Sequence, residues 1–178
     1  MQGVERYKVS LASHDISWEN EFQATKDELI KILVDNIIGI HHFGSTAIKH
    51  IAAKPILDVA AVVKDLPPVI EKMESAGYEY RGEQGVPGRH LFVMRSNINN
   101  ICVTTHHIHC YLSYSENLTN ALLFCRLMNE NPEYAKQYNA LKIELAAKFP
   151  DDRVAYSDGK QSFIIQAINT ARSIYSDK

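Results

Sequence analysis

A lone carboxylate in an otherwise apolar segment is the residue of this chain best placed for chemistry. Asp58 lies in the run from Ile56 to Val63, where seven of eight residues are apolar, and the run predicts a strand buried on both faces. An unpaired buried charge is too costly to persist, so Asp58 needs a metal ion, a cation or several hydrogen-bond donors. It could hold Mg²⁺ or Mn²⁺ against phosphate groups, or it could join two elements by accepting backbone hydrogen bonds.

The turn upstream of Asp58 has the composition of a phosphate cradle. Gly44-Ser45-Thr46 predicts a strand end, a tight turn and the start of a helix. Glycine lets the backbone approach a phosphate closely, and a helix N-terminus presents free N–H groups to an anion. Ser45 and Thr46 add hydroxyl donors, and Lys54 lies on the approach to the Asp58 strand. These residues predict a site for a nucleotide or another phosphorylated small molecule; an ordinary capped helix is the alternative.

A pair of histidines occupies a later strand. The alternation from Thr104 to Leu112 places His107 and His109 on one strand face and apolar residues on the other. The two imidazoles could bind a metal, stack on a base or contact a phosphate. If this strand neighbours the Asp58 strand, the three side chains form a two-histidine, one-carboxylate set suited to a transition metal. The alternative is a polar sheet face lined with imidazoles.

Charged residues surround a glycine-rich loop at positions 82–88, which predicts a shaped turn. Arg89 follows this loop and is a candidate phosphate ligand, and Glu83 within it is a candidate metal ligand. Such charges are more often solvated than bound to a ligand. Lys160, at the start of the last predicted helix, is interpreted as a solvated surface charge of this kind.

Composition describes an ordinary globular protein. The chain has 178 residues, of which 46% are hydrophobic, and its net charge of −2 gives no electrostatic footprint for nucleic acid. No apolar run approaches the length of a membrane span or a signal peptide, so no membrane partner is expected. Three cysteines without a CxxC pair argue against a disulfide framework or structural zinc, and they favour the cytoplasm. The oligomeric state is open.

Hydrophobic periodicity predicts a mixed sheet of about five strands followed by a helical layer. Because the helices gather at the C-terminal end, the fold class is α+β, with residues 1–178 as one domain and helices 115–175 packed on the sheet. The predicted helices before that layer start at Ser17 and span residues 67–73, and the last helix of the layer starts at about Ser157. The predicted strands cover residues 37–43, 55–63, 78–81, 89–95 and 101–112.

Together these segments resemble the GrpB family, which belongs to the nucleotidyltransferase superfamily. The resemblance implies the nucleotidyltransferase fold and transfer of a nucleotidyl group from a nucleoside triphosphate to an acceptor. It places Gly44 and Ser45 at the phosphates and Asp58 at the metal ion. In an enzyme of this kind we expect Lys54 and Arg89 to bind phosphate as well. The resemblance covers nearly the whole chain and rests on residues 42–47, 53–58, 77–89, 105–109 and 149–153.

One departure from the superfamily pattern leaves two functions open. The pattern has Asp-x-Asp or Asp-x-Glu on the strand, whereas the second carboxylate position here is Ala60. Since Mg²⁺ takes anionic oxygens, a single carboxylate holds two-metal chemistry poorly. Either Glu83, His107 and His109 complete the metal site of an enzyme, or the chain is a non-catalytic nucleotide- or phosphate-binding module.

Overall fold

The computed structural model describes residues 1–175, and those residues form a six-stranded sheet with helices on both faces. Two short 3₁₀ turns, Val34–Asn36 and Ser45–Ala47, lie on either side of the second strand. The strands are β1 (Val4–Glu5), β2 (Ile37–Phe43), β3 (Leu57–Val63), β4 (Glu79–Tyr80), β5 (Arg89–Ile98) and β6 (Ile101–Tyr111). The helices are α1 (Ser17–Leu33), α2 (Leu66–Ser75), α3 (Glu116–Glu130), α4 (Pro132–Lys148), α5 (Arg153–Asp158) and α6 (Gln161–Tyr175).

The sheet is mixed, with strand order β2-β3-β6-β5-β4 and β1 paired to β6. The pair β3 and β6 is parallel, and the other pairs are antiparallel. The α+β class is therefore confirmed, and the sequence misses only β1, whose two residues are too few to show a period of two. The parallel register places Asp58 beside His107 and Ala60 beside His109.

One face of the sheet carries the larger core. Alternate residues of β3, among them Leu57 and Val59, pack there with Leu29 of α1 and Met73 of α2, and all four are fully buried. Burying such side chains stabilises the fold by about 2 kcal/mol each. Since these residues occupy one face, Asp58, Ala60 and Val62 project from the other.

The opposite face is covered by the C-terminal helices. Ala60 and Val62 of β3 pack against Tyr111 and against Leu118 of α3, and all are buried. A further core joins α3, α4 and α6 to Ile48, which follows the 3₁₀ turn after β2. Asp58, near the start of β3, therefore lies between the sheet and this helical layer.

Two local predictions are wrong. No α-helix follows Gly44: residues Ser45–Ala47 make a single 3₁₀ turn, so no helix N-terminus faces an anion there. The last helix is also not continuous from Ser157, because α5 ends at Asp158 and α6 starts at Gln161. A Cβ at Gly159 would lie 2.5 Å from Leu145 Cδ2, so the chain approaches α4 closely at this break.

The start of α5 is fixed by its cap. The Asp152 side chain accepts hydrogen bonds from the N–H groups of Val154 and Ala155, at 3.1 and 3.0 Å. Such a cap stabilises a helix start by about 1 kcal/mol. Arg153 is therefore the first residue of α5.

Among the helices of residues 1–175, none combines the length and the apolar character needed to cross a bilayer.

Candidate functional site

Asp58 meets two histidines across the β3–β6 pair. Its Oδ1 atom accepts hydrogen bonds from His107 Nδ1 at 3.1 Å and from His109 Nε2 at 3.5 Å. The ligand atoms of these three residues lie within 4.8 Å of one another, which is close enough for all of them to reach one metal ion. The carboxylate strand and the histidine strand, whose adjacency the sequence left open, are neighbours in parallel register.

The carboxylate is ionised and remains accessible. Burial acts to raise the pKa of Asp58, but the hydrogen bonds from His107 and His109, reinforced by their charge when they are protonated, outweigh it and hold that pKa well below its usual range. Burial lowers the pKa of His109 despite the opposing effect of Asp58, which favours the neutral imidazole. The Asp58 side chain keeps 28% of its surface exposed, so it faces a cleft and both imidazoles.

Asp58 also lines a small pocket into which three cations converge, here called the cationic pocket. Its volume is about 240 Å³, and Lys54, Arg153 and Lys160 contribute the cationic groups. Lys54 comes from the segment before β3, Arg153 from α5 and Lys160 from the break before α6. The remaining lining residues are Gly44, Ser45, Ile56, His107, Tyr138 and Tyr156.

The three cations have no matching carboxylates. Within residues 1–175, no Asp or Glu oxygen lies within 4.0 Å of the charged group of Lys54, Arg153 or Lys160. Instead, the ring of Tyr156 lies 5.7 Å from Lys54 Nζ and 4.3 Å from Lys160 Nζ, and cation–π contact recovers only part of the lost hydration. A pocket with this excess of positive charge favours an anionic ligand.

Burial and mutual repulsion leave both lysines easy to deprotonate. Burial, with the charges of Arg153 and Lys160, lowers the pKa of Lys54 to about 7. Burial lowers the pKa of Lys160 to about 8, although Asp58 opposes the shift. A bound anion would restore their charge, because an opposite charge nearby favours the protonated amine.

The Gly44 turn forms one wall of the cationic pocket. Gly44 has φ of +72°, and a Cβ there would lie 2.7 Å from Asp58 Oδ2, so both the backbone and the close approach require glycine. Burial raises the pKa of the Tyr138 hydroxyl, although the nearby Ser45 side chain opposes the shift. Behind Tyr138, the buried amine of Lys142 donates to the carbonyl of Ala52.

Three candidates from the sequence lie outside this pocket. Thr46 is buried, and its hydroxyl bonds to His42 Nε2 at 3.0 Å. Arg89 donates through Nη2 to the carbonyl of Gln84 at 3.2 Å, which places its guanidinium at the glycine-rich loop. Glu83 accepts from the N–H of Gly88 at 2.7 Å and does not join the cluster of Asp58 and the histidines.

The helical layer contributes residues that the sequence interpretation did not assign. Lys160 is not a solvated surface charge, because it is partly buried and lines the cationic pocket beside Arg153. Tyr138 and Tyr156, to which the sequence interpretation gave no role, also line it. The signal available in the sequence was the segment Phe149-Pro150-Asp151-Asp152-Arg153, which belongs to the family resemblance but was given no role.

A sequence model described as "GrpB protein" matches residues 8–170. The chain belongs to the GrpB family. It is 32% identical over 173 residues to the protein named glutamate-rich protein GrpB of Alkalihalophilus pseudofirmus, covering 95% of this chain and 99% of that protein. It is 35% identical over 168 residues to UPF0157 protein YqkA of Bacillus subtilis, covering 93% of this chain and 48% of that protein, so it spans about half of that relative.

A solved GrpB structure has the same fold. The crystal structure of conserved protein GrpB from Enterococcus faecalis is similar with a TM-score of 0.82 and 31% identity, over 93% of this chain and 99% of that chain. The arrangement of a six-stranded mixed sheet with helices on both faces is thus the fold of the GrpB family.

Proposed function

We propose that this chain binds a phosphorylated small molecule, such as a nucleotide, in the cationic pocket and acts as a nucleotidyltransferase-like protein. A divalent ion held at Asp58, His107 and His109 completes the proposed site. The observation that carries the proposal is that Asp58 lines the same pocket as Lys54, Arg153 and Lys160. A single pocket then holds both the phosphate groups and the ion that faces them.

The cations bind the phosphoryl oxygens in this proposal. Arg153 can engage two oxygens at once, whereas Lys54 and Lys160 act as point charges. Ser45 and Tyr138 line the side of the pocket formed by the Gly44 turn. Positioning and charge neutralisation supply most of the catalysis of phosphoryl and nucleotidyl transfer, and these residues provide both.

The donor set indicates the type of metal. Two imidazole nitrogens and one carboxylate oxygen suit Mn²⁺, Fe²⁺ or Zn²⁺ better than Mg²⁺, which prefers oxygen ligands. When bound, such an ion neutralises charge that develops on phosphoryl oxygens. The residues of β3 and β6 hold the three ligand atoms in place before the ion arrives, because their register fixes them on one sheet face.

A second candidate function, a non-catalytic phosphate-binding module, is supported by two observations. Ala60, at the place of the second carboxylate, is fully buried against Tyr111 and Leu118, so a second metal has no room beside it. His109 Nδ1 is buried and has no hydrogen-bond partner among residues 1–175, whereas a metal-bound histidine usually donates from its other nitrogen. This module would keep the phosphate pocket without the transfer reaction.

Calorimetric titration with pyrophosphate tests the binding proposal. We expect Arg153→Gln and Lys160→Gln each to weaken binding by on the order of tenfold, because each loses a charged hydrogen bond. Lys31→Gln, at an exposed position of α1, is the matched control and should leave binding unchanged. Equal affinity in all four proteins would show that the cationic pocket is not the phosphate site.

A second titration tests the metal. Elemental analysis of the purified protein and titration with MnCl₂ should show one ion per chain, and Asp58→Asn should abolish its binding while the fold persists. Unchanged Mn²⁺ affinity in Asp58→Asn would overturn the metal site. If pyrophosphate binds in the cationic pocket but no metal binds to the wild-type chain, the non-catalytic module is the better description.

A further inference from the structure

A second pocket adjoins the cationic pocket on the helical side and is here called the aromatic pocket. Its volume is about 310 Å³, which is at the lower end of the range of small-molecule sites. Phe43 at the end of β2, Phe124 of α3 and Ile164 and Ile168 of α6 form its apolar walls. Asn117 and Asn120 of α3 add polar groups.

The two pockets share one wall. Gly44, Ser45 and Tyr138 line both of them, so the Gly44 turn and the ring of Tyr138 separate one from the other. A ligand whose phosphate lies beside Lys160 therefore reaches Phe124 as soon as it extends past this wall. The proximity makes the aromatic pocket a continuation of the site and not an independent cavity.

The walls are suited to a planar ring. Phe124 lies edge-on to Tyr138 with ring centroids 5.1 Å apart, and the two residues are 7% and 3% exposed. Their positions are therefore fixed by packing before a ligand arrives. Ile164 and Ile168, one helical turn apart, present aliphatic surface from the other side. Aromatic edges and branched aliphatic groups favour the faces and edges of an aromatic or heterocyclic ring.

A hydrogen bond fixes the polar group of this pocket. Asn120 Oδ1 accepts from Arg172 Nε at 2.9 Å, so the carboxamide oxygen is directed to the guanidinium. The Nδ2 amide group is then the donor that Asn120 offers to a ligand. Asn117 lies three residues earlier on the same face of α3. Amide donors at the edge of an apolar pocket match the ring nitrogens and carbonyls of a heterocycle.

We propose that the aromatic pocket holds the ring-containing part of the ligand whose phosphate lies in the cationic pocket. This inference rests on the proposed function, and it restricts the ligand to phosphate esters that carry a planar, hydrogen-bond-accepting ring, as nucleoside phosphates do. Inorganic phosphates would fill only half of the site.

Titration of the full chain with two kinds of probe tests this inference. We expect at least one of ATP, GTP and UTP to bind at least about tenfold more tightly than inorganic triphosphate, since the ring adds apolar contact. Ala121→Leu narrows the aromatic pocket and should abolish that difference without changing triphosphate affinity. Ala140→Leu, exposed on α4, is the matched control and should behave as the wild-type chain does.

The two proposals fail in different ways. If triphosphate binds but no nucleotide binds more tightly, or if Ala121→Leu keeps the full nucleotide preference, the aromatic pocket is not the ring site and the cationic pocket stands. If triphosphate and the nucleotides all fail to bind the wild-type chain, the proposed function fails and this inference fails with it. Retained triphosphate binding in Ala121→Leu shows that the variant is folded.

Discussion

At the scale of single residues, the unusual property of this site is its set of buried amines. Lys54 and Lys160 face a pocket without carboxylate partners, apart from the more distant charge of Asp58. Lys142 lies behind them, fully buried, and burial with the charges of Lys160 and Lys54 lowers its pKa to about 7. Proteins seldom bury lysines in this way unless the charge has a use, and a cleft with such groups is a candidate functional site.

The affinity for an anion should depend on pH through Lys54 and Lys160. Their pKa values of about 7 and about 8 mean that both are charged below about pH 6 and neutral above about pH 9. Only the protonated amines attract an anion, so affinity should fall as the pH rises through this range. Sulfate is a suitable probe because its own charge is constant there. Calorimetry with a chelator present would measure the effect.

Lys54→Arg is the matched variant for this measurement. Arginine keeps its charge at all of these pH values, so the variant should bind sulfate with a weaker pH dependence than the wild-type chain. An affinity that stays constant from about pH 6 to about pH 9 in the wild-type chain would contradict the assignment of these two amines to the anion site.

Lys142 allows a prediction about stability. Its folded-state pKa of about 7 lies below the ordinary value of 10.5, so between those values the unfolded chain binds more protons. Stability contributed by this group therefore rises with pH, at up to about 1 kcal/mol per pH unit. Denaturant unfolding measures the free energy of unfolding at about pH 7 and about pH 9. Between these two pH values, that free energy should rise less in Lys142→Met than in the wild-type chain. Lys148→Met, on the exposed end of α4, is the control, and equal rises in all three proteins would refute the prediction.

At the scale of elements, the Gly44 turn follows the strand that ends at Phe43, and it forms part of the wall that the two pockets share. Gly44→Ala should destabilise the chain by about 1–3 kcal/mol, because it combines a positive φ with a Cβ 2.7 Å from Asp58 Oδ2. Gly82→Ala has a similar φ of +69° but no atom within 4 Å of the new Cβ, so it measures the backbone cost alone. Chemical denaturation measures the loss of unfolding free energy in each variant, and the difference between the two losses gives the cost of the contact with Asp58. Equal losses of stability would mean that the close approach carries no cost.

The elements that the sequence predicts well are those with a clear periodicity. β3 was predictable because it is apolar on both faces, and β6 because His107 and His109 alternate with the apolar residues Ile108 and Cys110. The break between α5 and α6 was missed because the helical pattern from about Ser157 to Tyr175 runs through it with little interruption. Gly159 is compatible with a helix interior at a cost of about 1 kcal/mol, so its presence alone does not predict a break. Its close approach to Leu145 leaves no room for a Cβ, and this tertiary contact is not visible in a helical pattern.

At the scale of the whole molecule, the site could be predicted only in part. Asp58, Ser45 and Lys54 are close in sequence, so their convergence follows from one strand and one turn. Arg153 and Lys160 lie about one hundred residues later. The family resemblance includes Arg153 but gives it no role, and no local pattern distinguishes Lys160 from a surface charge. Their position depends on how the C-terminal helices pack on the sheet, which pattern and propensity alone do not determine.

Because residues of the sheet and of the C-terminal helical layer together form the site, a bound ligand should stabilise both layers. Ligand at about one hundred times its dissociation constant adds about 2.7 kcal/mol to the free energy of unfolding. We expect pyrophosphate to slow amide hydrogen exchange in β3 and also in α5 and the start of α6, since Arg153 and Lys160 tie the helical layer to the anion. Mass spectrometry of peptides from both layers would measure this. Protection confined to the β3 peptides, or protection that persists in Arg153→Gln, would show that the helical layer does not take part in binding.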